Sequence, residues 1–253
     1  LRELEEASRL FEQDENALKE TWLKQLIGPG SSLGGARPKA NVLGLDNSLW
    51  IAKFPSKSDE TNTGAWEMVA HELAKLCGLN VPEAKIKRFS KLGDTFLVKR
   101  FDRQGNRRIH FASAMTMLGM NDGASGADGI GYLDIAAFIT ASGANPKEDL
   151  AELWKRIVFH IAISNTDDHL RNHGFLLQKN GWVLSPLFDV NPVPYGDTLS
   201  LNISENDNTI AIENALSVAE YFHLAPQQAE QYAESILKAV NDNWKSVAEK
   251  LGI

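Results

Sequence analysis

The sequence contains one cysteine in 253 residues, Cys77, and so excludes an intrachain disulfide. That cysteine falls on the apolar side of a helical pattern and reads as a small core residue rather than a nucleophile. Long apolar runs are missing as well. None approaches the length of a membrane-crossing helix and no secretion leader is visible, which implies a cytoplasmic protein with no membrane partner. Excess basic charge is also lacking: at a net charge of -7 the chain alone is poorly suited to nonspecific contact with nucleic acid. Internal repeats and low-complexity tracts are absent, which sets aside solenoids and extended disordered arrays. What is present is an apolar fraction of 43% over a length that can bury a core in one large domain or in two lobes.

Residues 1 to 26 are charged with a helical pattern, broken at Gly28-Pro29-Gly30. SSLGGARPK, residues 31 to 39, then reads as a glycine-rich turn. Leu49, Ile51 and Lys53 alternate with Trp50, Ala52 and Phe54 as in a strand, so that one lysine ends an otherwise apolar face. Trp66, Val69, Ala70, Leu73, Ala74 and Cys77 keep helical spacing up to a stop at Gly78. Residues 84 to 89 and 95 to 101 read as further strands, the second ending in VKRFDR, and residues 105 to 109 as a polar link in which Arg107 and Arg108 are surface charge. The remainder is mostly helical: 130 to 140, 149 to 164, about 215 to 222, and 226 to 250. Between these, FLLQKNGWVL places Asn180-Gly181 at a hairpin, and SPLFDVNPVPYGD is too rich in proline and glycine to be regular. The pattern predicts an α+β chain with a small mixed lobe over residues 1 to 104 and a helical lobe over residues 105 to 253.

Chemistry concentrates in NTDDHLRNHG, residues 165 to 174. Transfer of a phosphoryl group from ATP needs a carboxylate near the attacking hydroxyl, oxygen ligands for Mg²⁺, a cation on the phosphates, and backbone amides that close over them. Asp167 and Asn172 stand five positions apart, the offset of the base and the metal-binding asparagine in a kinase catalytic loop. The hairpin that follows leads to Asp189 in LFDV, where such a fold presents its second metal-binding carboxylate. Lys53 is the candidate cation, and Glu67, early in the next helix, is suited to pair with it. Amides around Gly34, Gly35 and Ala36 are the candidate cover. Glycine-rich loop, strand lysine, helix glutamate, catalytic loop, hairpin and aspartate follow one another in the order of a kinase fold.

SSLGGARPK, WIAKF, VKRFDR, NTDDHLRNHG and SPLFDV together resemble the HipA family of serine/threonine kinase toxins, from about residue 28 onward. The resemblance implies a divergent two-lobed protein-kinase-like fold that uses ATP and Mg²⁺. It makes Asp167 the catalytic aspartate, His169 an active-site histidine beside it and the nucleotide, and Asn172 and Asp189 the Mg²⁺ ligands. It puts Ser32, Leu33, Gly34, Gly35 and Ala36 over the nucleotide, Lys53 on its phosphates, and the backbone of Lys99 and Phe101 beside adenine. Lys99 departs from the glutamate frequent at that position. Ser32, with Ser31 as a second candidate, matches a loop serine whose autophosphorylation abolishes ATP binding in the family, and charge repulsion makes that regulation physically sensible. The small N-terminal β domain of long members has no counterpart, as in the shorter toxins of three-gene systems, where a separate small protein stands in for it. Expected partners are a helix-turn-helix antitoxin, through which alone DNA is contacted, and a translation-related substrate such as an aminoacyl-tRNA synthetase.

Other readings compete. His160, His169 and His173 with Asp167 and Asp168 could form a metal hydrolase cluster, but that leaves the glycine-rich loop, Lys53 and the hairpin without a role. Asp168 then reads as a solvated residue or one that backs the ligands, His173 has no assigned ligand, and Arg171 is either a phosphate partner or a solvated cation. A small-molecule or lipid kinase, or an inactive kinase-fold binding protein in a repressor complex, would share the same loop.

Overall fold

The computed structural model describes residues 1–13, 37–105 and 107–253, so the glycine-rich segment with Ser31, Ser32, Leu33, Gly34, Gly35 and Ala36 lies outside the described residues. The chain begins with helix α1, Arg2–Gln13. Strands β1 (Lys39–Leu43) and β2 (Leu49–Lys53) follow, then helix α2 (Thr63–Leu76) and strands β3 (Ala84–Arg88) and β4 (Asp94–Lys99). Among the described residues these strands form an antiparallel sheet in the order β1-β2-β4-β3. Strand β1 was not expected from the sequence: its segment, KANVL, alternates weakly and follows directly on a glycine-rich turn.

Period-two alternation sorts the sheet's side chains into two layers. Ala40, Trp50, Ala52, Phe54 and Leu97 gather on one, with Leu4 of α1 packed against them. Met68 of α2 joins Phe96 and Val98 on the other, together with Ile51, Ala84 and Ile86. On the α1 side Thr95 donates its hydroxyl proton to the buried Glu5 carboxylate at 2.5 Å.

The start of α2 is fastened to β4. Asn62 accepts from the amide of Ala65 at 3.4 Å and from that of Asp94 at 2.9 Å, and its own amide donates to the Asp94 carboxylate at 2.6 Å. Arg88 closes the carboxylate's other side with contacts of 3.1 and 2.7 Å. Gly64 is what permits this approach, because a Cβ there would lie 1.9 Å from the Asp94 carbonyl oxygen. Gly64→Ala should therefore destabilise the protein by about 2 to 3 kcal/mol, read as a lower denaturant midpoint at unchanged slope.

Short strands β5 (Arg103–Gln104) and β6 (Arg107–Arg108) lead into β7 (Phe111–Ser113) and the one-turn helix α3 (Ala114–Met117). Helices α4 (Tyr132–Ser142) and α5 (Pro146–Ile163) come next. Helix α5 starts earlier than its apolar spacing implied because Pro146 opens it, with Glu148 and Asp149 in the first turn suiting the positive end of the helix dipole. Its buried face runs through Leu150, Leu153, Trp154, Ile157, Val158 and Ile161, and Ser164 ends it in a left-handed conformation.

Strands β8 (Gly174–Gln178) and β9 (Gly181–Leu184) pair with each other, and β8 pairs with β7. The hairpin turns at Lys179-Asn180 rather than at Asn180-Gly181, since Gln178 is opposite Gly181. Gly181 is a strand residue with φ 137°, and a Cβ on it would come within 2.8 Å of the Ser142 carbonyl oxygen. Its role is close approach, which the dipeptide signature does not distinguish from a turn. The helix expected at 215 to 222 is divided into α6 (Ile212–Ser217) and a 3-10 turn (Ala219–Phe222), and α7 (Pro226–Lys250) follows. No helix among the described residues is long and apolar enough to cross a membrane.

Two compact units result: Leu1–Val69 with Pro82–Arg107 and Ala248–Ile253, and Ala70–Val81 with Arg108–Val247. The first is built on the four-stranded sheet, and the second is mostly helical. Cys77 belongs to the second, where its thiol faces the Ile236 carbonyl at 3.9 Å and burial pushes its pKa up to about 11, as suits a packing residue.

Candidate active site

In the sheet unit, Lys53 at the end of β2 reaches across to Glu67, one turn into α2, and the two form a salt bridge that is almost fully buried. The Lys53 ammonium also lies 5.8 Å from the centre of the Phe96 ring. The fastening of α2 through Asn62, Gly64 and Asp94 sets the height at which Glu67 meets the strand. At the far end of the sheet, Lys99 donates its backbone amide proton to the Glu83 carbonyl at 2.8 Å, and its side chain turns to Glu83 at 3.1 Å. Phe101 follows β4, half-buried.

In the helical unit, residues 164 to 174 form a loop between α5 and β8 that is tied down along its length. Val193 donates to the Ser164 carbonyl at 3.0 Å, Ser200 to Thr166 at 2.8 Å, Met115 to Leu170 at 3.2 Å, and Ala114 to His173 at 2.8 Å. On this fixed backbone Asp167 is exposed while its neighbours Asn165 and Asp168 are buried. Asn172 is buried and donates its side-chain amide to the Asp167 carbonyl at 3.2 Å. His169 accepts from Arg171 at 3.1 Å through Nε2, and Arg171 also pairs with Asp122. Arg171 is thus an exposed cation with partners, and with His169, Asn121, Asp122, Ser125 and Ser200 it lines a shallow groove beside the loop.

Asp189 lies beyond β9 with φ 58°, a left-handed conformation uncommon outside glycine and asparagine. The segment leading to it is anchored by Arg156, itself fully buried, which donates to the Ser185 carbonyl at 2.8 Å, and by Leu187, which donates to the Asn80 carbonyl at 2.8 Å. Aspartate tolerates this conformation better than most residues, so the backbone holds its carboxylate here at modest cost.

Of the two readings left open for Asp168 the solvated one fails, and His173, which had no assigned ligand, is engaged. Asp168 is not solvated but 1% exposed, and His173 is not idle. Tyr132 donates to Asp168 Oδ2 at 2.5 Å, His173 Nε2 approaches the same oxygen at 2.7 Å, and His160 Nε2 stands 3.5 Å away. Local sequence reading could not choose between a solvated Asp168 and one turned inward, because Tyr132, thirty-six positions upstream, gave no local signal of the contact. Of the histidines and carboxylates considered for a metal hydrolase, His160, Asp168 and His173 come together, with ligand atoms within 4.8 Å of one another, and His169 and Asp167 do not join them.

Burial holds His160 down, from an ordinary 6.5 to about 4, against the pull of Asp168. For Asp168, burial alone would raise the carboxyl, but the imidazoles of His160 and His173 and the Tyr132 hydroxyl reverse this and hold it well below the usual carboxylate range. Burial and the Asp168 charge raise the Tyr132 phenol well above its ordinary value, so it remains a donor. A histidine whose folded pKa is depressed contributes stability that is complete above its unfolded value and is lost as pH falls through the folded one. The melting temperature should therefore decline as pH is lowered from about 6.5 toward about 4, and His160→Gln should flatten that part of the profile.

A small sheet with one helix fastened across it, followed by a mostly helical unit carrying a clamped acidic loop, is the plan of a divergent kinase-like fold. Residues 31–244 match the family of HipA-like C-terminal domains, and the chain belongs to that family. Among solved structures it is similar to the Shewanella oneidensis toxin in a complex of HipA, HipB and operator DNA, with a TM-score of 0.69, 19% identity, and coverage of 96% of this chain and 62% of that one. It is also similar to the Helicobacter pylori proinflammatory kinase CtkA, at a TM-score of 0.54 and 15% identity over 84% of this chain and 94% of that one. A Haemophilus influenzae protein provisionally named as a kinase is 25% identical over 88% of this chain and 68% of its own length. Sinorhizobium fredii Y4dM, also provisionally named as a kinase, is 27% identical over 79% of this chain and 50% of its own. The chain thus spans from half to about two thirds of these two relatives.

Proposed function

We propose that this chain is an ATP-dependent serine/threonine protein kinase and the toxin component of a toxin-antitoxin pair. The observation that carries the reading is the exposed carboxylate of Asp167 on a loop whose backbone carbonyls at 164, 166, 170 and 173 accept hydrogen bonds from neighbouring segments. A base that must meet a protein hydroxyl has to reach solvent, and one that must meet it in a fixed geometry has to stand on a rigid support. Family membership and the buried Lys53–Glu67 pair support the same reading.

In this reading Asp167 orients the acceptor hydroxyl and takes its proton as the new phosphorus–oxygen bond forms and the bond from the γ-phosphorus to the bridging oxygen breaks, releasing ADP. Lys53, held by Glu67, neutralises phosphate charge. Asn172 and Asp189 offer the carboxamide and carboxylate oxygens that a hard cation prefers; because the Asn172 amide nitrogen is directed at the Asp167 carbonyl, its oxygen is the atom left for ligation. Mg²⁺ bound there would neutralise charge on the phosphate oxygens. A contact from Lys99 to adenine would use its carbonyl, since its amide is taken by Glu83. The groove lined by His169 and Arg171 is the proposed approach of the acceptor.

We place near residue 104 the boundary between a small lobe with the glycine-rich loop and Lys53 and a helical lobe with the catalytic loop and Asp189. A helix-turn-helix antitoxin is the proposed partner, as HipB accompanies HipA in the Shewanella oneidensis complex. Such a partner would carry the DNA contacts for which this acidic chain is poorly suited. A translation-related protein is the proposed substrate, and the glycine-rich loop serines Ser31 and Ser32 are proposed sites of self-modification.

Intact-mass measurement with site mapping after incubation with Mg-ATP tests this. Added phosphate on Ser31 or Ser32, absent from Asp167→Ala, supports it. Dephosphorylated protein that neither binds Mg-ATP nor modifies itself or a panel of translation proteins overturns it.

A further inference from the structure

The kinase reading uses Asp167 and Asn172 but leaves unexplained why the next residue after each is a buried polar group. Asp168 and His173 are 1% and 0% exposed, and His160 and Tyr132, which meet them, are fully enclosed. No lysine or arginine bonds the Asp168 carboxylate among the described residues; its neighbours are the Tyr132 hydroxyl and two imidazoles, an arrangement that is demanding in geometry and worse than apolar packing if incomplete.

The donors come from three places in the chain. Tyr132 is the first residue of α4, His160 stands in the last turn of α5, and His173 leads into β8. The Asn165 side-chain amide lies 2.9 Å from His160 Nδ1, which makes that nitrogen the acceptor and leaves the proton on Nε2, the atom facing Asp168. The Tyr132 and His173 rings also meet edge to face at 86°. The Tyr132 O–H and His173 Nε2 are thus hydrogen-bonded to Asp168 Oδ2, while His160 Nε2 faces the same oxygen from 3.5 Å without a hydrogen bond.

We infer that Tyr132, His160 and His173, gathered on Asp168, form a buried clasp that positions Asp167 and Asn172 for phosphoryl transfer. The inference rests on the kinase reading for its consequence, but not for its geometry. A residue has only two soft backbone dihedrals, so fixing the side chains of Asp168 and His173 leaves little freedom to the peptide planes that carry Asp167 and Asn172. Asp167 points to solvent because Asp168, one residue on, points inward. The clasp residues act through the loop and are positioning residues.

The test compares Asp168→Asn, Tyr132→Phe, and two replacements of His173 that separate its ring nitrogens: a glutamine amide reaches the place of Nε2, whereas an asparagine amide reaches that of Nδ1. Each is assayed for phosphoryl transfer, Mg-ATP affinity and hydrogen-deuterium exchange of residues 164–174. For Asp168→Asn, kcat should fall by about a hundredfold, the order expected from misplacing a catalytic group by about 1 Å, with Mg-ATP affinity changed by less than about threefold and exchange of 164–174 accelerated. Tyr132→Phe, which removes one oxygen and should leave folding intact, should lose about tenfold in kcat. His173→Gln should retain about tenfold more activity than His173→Asn.

An unchanged kcat in folded Asp168→Asn or Tyr132→Phe overturns the inference, as does a loss of kcat without faster exchange in the loop. One equivalent of zinc found by elemental analysis of the purified protein and lost in Asp168→Asn would also overturn it, making the cluster a metal site. If the wild-type chain transfers no phosphate, the kinase reading fails, and the exchange of 164–174 still decides whether the cluster holds the loop.

Discussion

Replacing Asp167 by alanine should reduce phosphoryl transfer by about 10³-fold while moving the melting temperature by less than about 2 °C. The asymmetry follows from where its carboxylate is. Asp167 is exposed, no side chain among the described residues hydrogen-bonds its carboxylate, and its contribution to the loop is a backbone carbonyl that accepts from Asn172. Alanine keeps that carbonyl. What it removes is the group proposed to meet the acceptor hydroxyl, so Mg-ATP should still bind with nearly unchanged affinity. Single-turnover transfer and a calorimetric titration with Mg-ATP check the two halves. Full activity in the variant would assign the base elsewhere; collapse of the fold would mean that the loop depends on a side chain it does not bury.

Breaking the Lys53–Glu67 pair should have the opposite profile, with a large effect on stability as well as on the nucleotide. Both side chains are withdrawn from water, so deleting one leaves a buried charge without its main counterion. Glu67→Gln or Lys53→Met should each destabilise the protein by about 3 kcal/mol, lowering the melting temperature by roughly 6 to 12 °C. The double replacement Lys53→Met with Glu67→Leu should recover most of that loss, because apolar side chains of similar size remove the desolvation penalty together with the attraction. It should nevertheless fail to bind Mg-ATP tightly, since the cation is gone. A double-mutant cycle by thermal denaturation measures the coupling. Single variants as stable as the parent would show that water reaches the pair.

The two regions were not equally legible in the sequence. Elements whose packing is expressed along the chain were readable: the strand of Leu49 to Lys53 by alternation, α5 by its apolar stripe, and α2 by spacing and the glycine that follows. Strand β1 was not, because an edge strand buries little and so carries a weak pattern. The hairpin was found, but its register was displaced by one residue: Gly181 is there for its contact with residues 142 to 144, which no dipeptide rule encodes.

At the candidate site the same division holds. Asp167, Asn172 and Asp189 could be singled out as candidates because their offsets are local, and the Lys53–Glu67 pair could be anticipated because strand and helix follow in order. The clasp was illegible because burial is a property of the assembled fold. NTDDHLRNHG offers two adjacent aspartates and two histidines of equal standing, and only the placement of Tyr132 and His160 decides that Asp168 and His173 turn inward while Asp167 turns out and His169 is left half-buried in the groove.

The left-handed backbone of Asp189 constrains how this chain can change over generations. At φ 58° the residue types accepted with little strain are glycine, asparagine and aspartate. Both aspartate codons become asparagine or glycine codons by a single base change. A lineage under pressure to silence the chemistry while keeping the folded chain, for instance to retain a binding partner, therefore has a short route at this position. Copies of the gene carrying asparagine or glycine at 189 would be expected to yield abundant, folded and inactive protein.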